Sequence, residues 1–248
     1  PMYDRPETEV AHDRFWAAVR DRLRASGVAA PEALTRTADL WEQWQAPDLV
    51  LSQPCGLPYR AVLHGRVALV ASPDFGLEGC PAGHYRSVLV ARRGDARAEA
   101  SDFSGAALAI NDVLSQSGWA AIQAEALANG IALRPRLVTG SHRASAQAVA
   151  DGAADWAAID ARTWQMLCRW DDFAAGLKVI GATAPTPALP YIAALGRDPA
   201  LLRLALAAAI AGLSAADRDI LGLRGIVEIP AAAYLAVPIP PAPVIAAA

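Results

Sequence analysis

Three short segments carry side chains that could do chemistry. Ser115-Gln116-Ser117-Gly118 follows the apolar run Ala107–Ile110, Gly140-Ser141-His142 follows Arg136–Val138, and Asp160 closes the run Trp156–Ile159. Each reads as a buried strand that runs out into a small polar turn and opens a helix. The first N–H groups of a helix have no partner inside it and carry a partial positive charge. Ser115 or Ser117, and Ser141, can cap such helix starts with their hydroxyls. Two turns of this kind facing one crevice make a receptor for a small anion. His142 can add one hydrogen bond, from a charged or a neutral imidazole according to the local field. Asp160 can accept from a ligand hydroxyl or amino group, or cap the helix that starts near Ala161; ligands of α/β sheets gather at such strand ends. Each turn taken alone is equally a plain helix cap with no ligand.

Other chemistries fit less well. No Gly-Lys-Ser/Thr follows the serine turn, so it is not a nucleotide P-loop. GxSxG is absent, which removes the nucleophile elbow. A Ser–His hydrolase needs an acid partner and an oxyanion hole; Asp155 and Asp160 are available, but no serine sits as a strained nucleophile. Tyr59, Tyr85 and Arg86 lie near predicted strand ends and could line the crevice's other wall. Trp41, Trp44, Trp119 and Trp164 are expected in the core.

These turns need strands and helices to hold them. Apolar spacing predicts a helix over 8–26, with Val10, Phe15, Trp16, Val19 and Leu23 on one side. Strands are expected at 48–51, 67–71, 85–91, 107–110, 136–138, 156–159, 178–180 and 193–195. Helices are expected at 117–129, 142–151, 161–168, 199–212 and 214–221. Short apolar strands alternating with helices imply an α/β architecture with a mostly parallel sheet. The linker-like stretches Arg92-Arg93-Gly94-Asp95 and Thr183–Pro187 bracket a self-contained middle. The expected division is therefore a first lobe of 1–92 plus 185–248 and a second lobe of 93–184, joined by two strands with a cleft between.

Composition bounds the class. With 248 residues, 54% hydrophobic and 19% charged, the chain can bury one large core or two of about 100 residues each. A net charge of −3 without long charged runs speaks against a nucleic-acid surface and against electrostatic membrane docking. The three cysteines, Cys55, Cys80 and Cys168, show no CxxC spacing, and only four histidines are present, which points away from a zinc site. Cys55 and Cys80 either pair in an exported protein or are two ordinary thiols. Residues 229–248 are uncharged, but Pro230, Pro238, Pro240, Pro241 and Pro243 prevent a continuous helix. This stretch is expected to be an extended tail packed over the body rather than an anchor. The opening Pro1-Met2-Tyr3-Asp4-Arg5-Pro6 has none of the three parts of a secretory signal. Either a leader lies outside this sequence, or the protein starts a few residues upstream and stays inside.

Several of these segments in order resemble a known family. They are Asn111…Ser115-Gln116-Ser117-Gly118, then Thr139-Gly140-Ser141-His142-Arg143-Ala144-Ser145…Gly152…Asp155-Trp156-Ala157-Ala158-Ile159-Asp160, then Lys178-Val179-Ile180-Gly181…Pro185…Pro187…Pro190. With Gly83–Val90 they resemble the phosphate/phosphite/phosphonate-binding proteins of bacterial ABC importers, over about residues 48–195. The resemblance implies an α/β, two-lobed, type II periplasmic-binding-protein-like fold with two hinge-crossing strands. It implies a non-enzymatic solute-binding protein, monomeric and periplasmic, without cofactor, metal or membrane span. Its partners would be a small anionic ligand and a membrane permease. It implies that Ser115, Gln116 and Ser117 with Ser141 and His142 hold the oxyanion head, that Asp160 meets a ligand amino group, and that Gln53, Tyr59 and Tyr85 contribute contacts. Two features depart from the pattern. Phosphonate binders carry Ser or Thr where this chain has Gln116, and the family's first strand, expected before Tyr3, is mostly missing from this sequence. The alternative is an intracellular binding protein or an enzyme using the same cleft.

Overall fold

The structure is a computed structural model. It describes residues 2–37 and 39–246; Pro1, Ala38, Ala247 and Ala248, which the expected first lobe includes, lie outside the described residues. In chain order the elements are α1 (Glu9–Ala25), α2 (Leu40–Trp44), α3 (Gly56–Pro58), β1 (Val67–Asp74), β2 (His84–Tyr85), β3 (Ser87–Arg92), β4 (Ala107–Ile110), α4 (Ala121–Asn129) and β5 (Arg134–Val138). There follow α5 (His142–Ala150), β6 (Trp156–Asp160), α6 (Ala161–Trp170), β7 (Leu177–Ala182), β8 (Thr186–Pro187), β9 (Tyr191–Ala194), α7 (Pro199–Ala211), α8 (Ala215–Leu221), β10 (Gly225–Val227) and α9 (Ala231–Leu235). Wide π-helical turns follow α3 at Tyr59–Leu63 and precede α4 at Gln116–Ala120.

The chain divides into two units, one of residues 1–84 and 187–235, the other of 85–186 and 236–248. The second unit is built on a five-stranded sheet of order β5-β4-β6-β3-β7. Its strands are apolar on both faces, as a sheet covered on both sides requires. Leu89, Leu108, Ile110, Trp156 and Ala158 face Trp119 and Ile122 of the turn and helix after β4. The alternate residues Val90, Ala109, Ala157 and Ile159 face Ala146 and Val149 of α5 and Leu167 of α6. Period-two alternation thus assigns α4 to one face and α5 to the other. β4 runs parallel to both β5 and β6, so the chain leaves β4 to one side and returns on its other side. Strand order reverses there, which opens a crevice at the strands' carboxyl ends.

The sheet is less parallel than the sequence pattern implies. β3 pairs antiparallel with β6 and β7, and in the first unit β1 pairs antiparallel with β9 and β10. The reason in the second unit is connectivity: the chain enters along β3 and leaves along its neighbour β7, and adjacent entering and leaving strands run opposite ways. The unit boundaries also fall elsewhere than expected, at 84/85 and 186/187, where β2 pairs with β8. The Arg92–Asp95 stretch is no linker. Arg97 Nη2 lies 2.7 Å from Asp95 Oδ2 and 3.1 Å from Asp155 Oδ1, and Arg92 Nη2 lies 3.4 Å from the same Asp155 oxygen. The Arg97 guanidinium holds the Asp95 carboxyl well below the usual carboxylate range. A charged cluster that closes one end of the second unit thus has the composition of a loop.

In the first unit the sheet order is β10-β1-β9. The expected strand at 48–51 is no regular strand; the segment lies along β9 through the single bridge of Ser52 with Ile192 and a bond from the Ala194 N–H to the Leu49 carbonyl (3.0 Å). Trp44, Leu49, Tyr59, Leu63, Val67, Ile192, Ile229 and Tyr234 form the core. The end of the chain splits: 225–227 and 231–235 form β10 and α9 in the first unit, and residues 236–246, without regular secondary structure, go with the second. Among the described residues no single helix is long and apolar enough to cross a membrane.

Trp156 is fully buried, stacks against Phe103 at 5.8 Å, and its indole N–H has no hydrogen-bond partner. Trp156→Ala is expected to cost about 3–5 kcal/mol in urea unfolding. Trp156→Phe keeps the ring and removes an unsatisfied donor, so it should cost less than about 1.5 kcal/mol.

Candidate functional site

The carboxyl ends of β4, β5 and β6 and the start of β3 meet at one edge of the second unit's sheet. Past the end of β4, the Ser115 hydroxyl accepts from the Gly118 N–H (2.9 Å), the cap expected of a serine before a helix. The Ser115 carbonyl accepts from both Trp119 N–H (3.2 Å) and Ala120 N–H (3.0 Å), so the turn is one residue wider than an α-helical one. This widening was not visible as periodicity. Ser115, Gln116 and Ser117 are all buried. Gly118 is required: a Cβ there would lie 1.7 Å from Asn111 Oδ1. That oxygen is shielded from water and has no hydrogen-bond partner.

The second turn is tied to the first through the backbone. Thr139 N–H donates to the Ile110 carbonyl and Gly140 N–H to the Asn111 carbonyl, both at 2.9 Å. Gly140 takes φ +85°, a left-handed conformation natural to glycine. The Ser141 hydroxyl caps α5 by accepting from the Ala144 N–H at 3.1 Å. His142 then stands opposite the first turn, with Nε2 2.7 Å from Ser117 Oγ. Burial pushes the imidazole down to about 4, partly offset by the Ala158 backbone carbonyl. Near neutral pH the ring is therefore uncharged, and its bond to Ser117 is between two neutral groups that can exchange donor and acceptor roles.

Asp160 is buried at the end of β6 and accepts from the Thr163 N–H (2.8 Å), so it caps α6. It stands opposite Ser87 in the ladder, and the Ser87 hydroxyl donates to the Ser117 carbonyl (2.8 Å). Ser87 thus links Asp160's strand pair to the serine turn. The sequence marks Asn111 only within the family-like segment and assigns Ser87 no role; the signal for both is a small polar residue where an apolar strand begins or stops. Tyr85 is buried just before β3, and the Arg86 carbonyl accepts from the Ala161 N–H (3.0 Å). Of the acids named for a hydrolase, Asp155 belongs to the arginine cluster, bonded also to the Ala107 N–H (2.9 Å) at the far end of β4.

The structure therefore brings Ser115, Gln116, Ser117, Ser141 and His142 to one edge, with Asp160 joined through Ser87. Gln53 and Tyr59 lie in the first unit. The Tyr59 ring is 1% exposed and packs edge-on against Tyr234 at 5.2 Å, so it is core rather than an open wall. The Gln53 Nε2 donates to the Leu189 carbonyl at 3.4 Å. Trp44 and Trp119 are core as expected, and Trp41 and Trp164 pack against core clusters. The first unit also holds a cavity of about 740 Å³ walled by Phe15, Trp16, Val19 and Leu49–Leu51, with Gln53 at its border. Its lining is mostly apolar, with His12, Glu42, Asp48 and Arg197 among the polar side chains. Among the described residues no three His, Cys, Asp or Glu side chains are grouped to hold a metal ion.

Comparison with known proteins bears on this geometry. Residues 46–234 match the family described as the periplasmic phosphonate substrate-binding protein of ABC transporters. Among solved structures, PhnD1 from Prochlorococcus marinus in complex with methylphosphonate is similar at 14% identity and TM-score 0.68, covering 91% of this chain and 90% of that one. XAC2383 from Xanthomonas citri bound to ATP is similar at 20% identity and TM-score 0.65, with 90% of each chain covered. A binding protein component of an ABC phosphonate transporter from Pseudomonas aeruginosa is similar at 19% identity and TM-score 0.61, covering 84% of this chain and 72% of that one. These likenesses show the two-lobed periplasmic-binding-protein-like fold. No curated protein matches the chain in sequence at a significant level.

Two outcomes follow from the edge itself. Gly118→Ala must displace Asn111 and is expected to lose about 1–3 kcal/mol of stability in urea unfolding. His142 is held neutral in the folded state, while the unfolded chain takes up its proton at the ordinary value of 6.5. Stability should then fall as pH drops from 6.5 to about 4, by up to about 3 kcal/mol from this group. His142→Gln should lose that component. Unfolding free energies of both proteins at pH 7 and pH 4 check it, and equal losses in the two would refute it.

Proposed function

The chain belongs to the periplasmic phosphonate-binding family of ABC-transporter substrate-binding proteins, and on that premise we propose that the serine–histidine edge of the second unit holds the oxyanion head of its ligand. The observation that carries this reading is the 2.7 Å contact of Ser117 with a neutral, half-buried His142, set between two capped helix starts. An anion there meets hydroxyl, imidazole and backbone N–H donors. Each hydrogen bond to an ionised oxygen is roughly twice as strong as one between neutral groups. The helix starts add their partial positive charge, so no lysine or arginine is needed. Neutral donors also let the anion leave again, which a carrier protein requires and a buried ion pair would oppose.

Gln116 shapes the choice of ligand in this proposal. The family resemblance implies Ser or Thr at this place, and a carboxamide is longer and carries both donor and acceptor. A ligand that presents a hydroxyl or amino group beside its oxyanion satisfies both; Asp160 is assigned to the same group. Ser115 and Ser141 hold the turns, while Tyr85 and the first unit's Gln53 are retained as further ligand contacts. The protein then binds without turnover, monomeric in the periplasm, and delivers its ligand to a membrane permease.

Calorimetry against methylphosphonate, phosphite, phosphate, 2-aminoethylphosphonate and ATP tests the reading. At least one of the phosphorus oxyanions should bind. Ser117→Ala and His142→Ala should each weaken it about tenfold or more, the loss of a charge-assisted hydrogen bond. Absence of binding to all five, or Ser117→Ala and His142→Ala variants that bind like the parent protein, would sink it.

A further inference from the structure

Past α9 the chain enters the second unit once more, at 235/236, and after a turn at 236–237 runs without regular secondary structure to 246. Proline occupies positions 238, 240, 241 and 243. Each fixes φ and removes a donor, so the segment is stiff and cheap to order. It is nevertheless tied down. The Pro241 carbonyl accepts from the Trp119 indole N–H at 2.9 Å, and Ala246 N–H donates to the Pro135 carbonyl at 2.8 Å. The two bonds straddle the groove between α4 and the segment leading into β5, lined by Trp119, Gln123, Leu127, Leu133 and Pro243.

Trp119 is not an arbitrary anchor. Its backbone N–H shares the Ser115 carbonyl with the Ala120 N–H that makes the turn wide, and it follows Gly118 directly. Its indole ring is part of the core cluster with Ile110 and Ile122. The bond to Pro241 therefore fixes the side-chain rotation of a residue inside the turn that carries Gln116 and Ser117 and starts from Ser115. At the root of the strap, α9 is held by the Tyr234 hydroxyl, which donates to the Ala188 carbonyl at 2.8 Å. The strap is thus stiff, held at its root, and attached to the turn that carries the anion donors.

We propose that Trp119 is a positioning residue for the oxyanion turn and that the proline-rich segment 236–246 acts through it, as a strap that holds the Ser115–Ser117 turn in its ligand-binding geometry. This rests on the proposed function of that edge. The strap contributes no ligand contact; it keeps the π-helical turn from relaxing to an ordinary α-turn, which would move Ser117 away from His142.

The test compares the parent chain, Trp119→Phe, deletion of 236–248, and the two changes combined. Trp119→Phe keeps an aromatic ring and removes the indole donor; the deletion removes the acceptor. Methylphosphonate, phosphite and 2-aminoethylphosphonate affinities are read by calorimetry, and the His142 Nε2 environment by nitrogen-15 NMR without ligand. Each single change should weaken whichever probe binds by about 3- to 10-fold, the worth of one hydrogen bond. The combined change should add nothing further, because both remove the same bond. The Nε2 resonance should move in the same direction in all three variants. Lowered melting temperatures with unchanged affinity and unchanged resonance would overturn the proposal, as would independent, additive effects. If no probe binds the parent chain, the anion reading fails by itself, and the Nε2 resonance still decides the strap: a shift upon deletion supports it and an unmoved line refutes it.

Discussion

The constraint on which the rest depends is the position of β4 between two parallel neighbours. Because β4 pairs with β5 on one side and β6 on the other, the helices that follow β4 and β5 must cover opposite faces of the sheet. Their N-termini then arrive at the same edge from above and below. Polar side chains of the two turns are thereby placed within hydrogen-bond distance across the sheet edge, as Ser117 and His142 are. Neither turn would be more than a helix cap without this arrangement. The apolar alternation of Leu108, Ala109 and Ile110 enforces it, since a one-residue slip would exchange the faces that Trp119 and Val149 pack against.

Burial at that edge sets the chemistry as much as residue type does. A histidine in water at neutral pH is partly charged, and a charged imidazole would attract any anion indiscriminately. Here the surroundings push His142 down to about 4, so under the proposed function recognition falls to the geometry of neutral donors. Asn111 shows the same logic in the opposite sense. Its buried oxygen lies where a side chain on Gly118 would be, so the Asn111 side chain occupies the space that the glycine leaves beside the turn. A glycine and an asparagine seven residues apart thus form one structural unit.

Much of this edge was legible in the sequence because its signals are local. A serine after an apolar strand, a glycine at a left-handed position and a periodic apolar helix face each act within a few residues. The expected β4 at 107–110 matches the observed bounds, and α5 and α6 lie within a residue or two of expectation. What could not be read depends on distant partners. Strand direction follows from where the chain enters and leaves, so β3 and β7 gave no sign that they run opposite to each other. Arg92 and Asp95 have loop-like composition, and only the folded position of Arg97 and Asp155 turns them into a buttress. Tyr59 near a predicted strand end promised an open wall, but the ring is claimed by Tyr234, more than 170 residues later in the chain. The wide turn at Gln116–Ala120 was read as plain helix, because one extra residue hardly disturbs an apolar pattern so rich in alanine.

The same distinction bears on Gln116. A serine turn with a small central residue would be specified by the backbone alone, since any hydroxyl can cap. A glutamine inside a buried turn cannot be accommodated by local rules: its carboxamide has two donors and two acceptors to place out of water. Gln116 is 2% exposed, so its head group is sheltered by the surrounding protein, and the cost of burying it must be met by polar partners there. A residue so placed is tolerated when it serves either packing of the turn or selection of the ligand. Packing would be satisfied by many apolar side chains of similar length. Selection, the role given to Gln116 in the proposed function, requires the carboxamide itself, so there its chemistry rather than its volume matters.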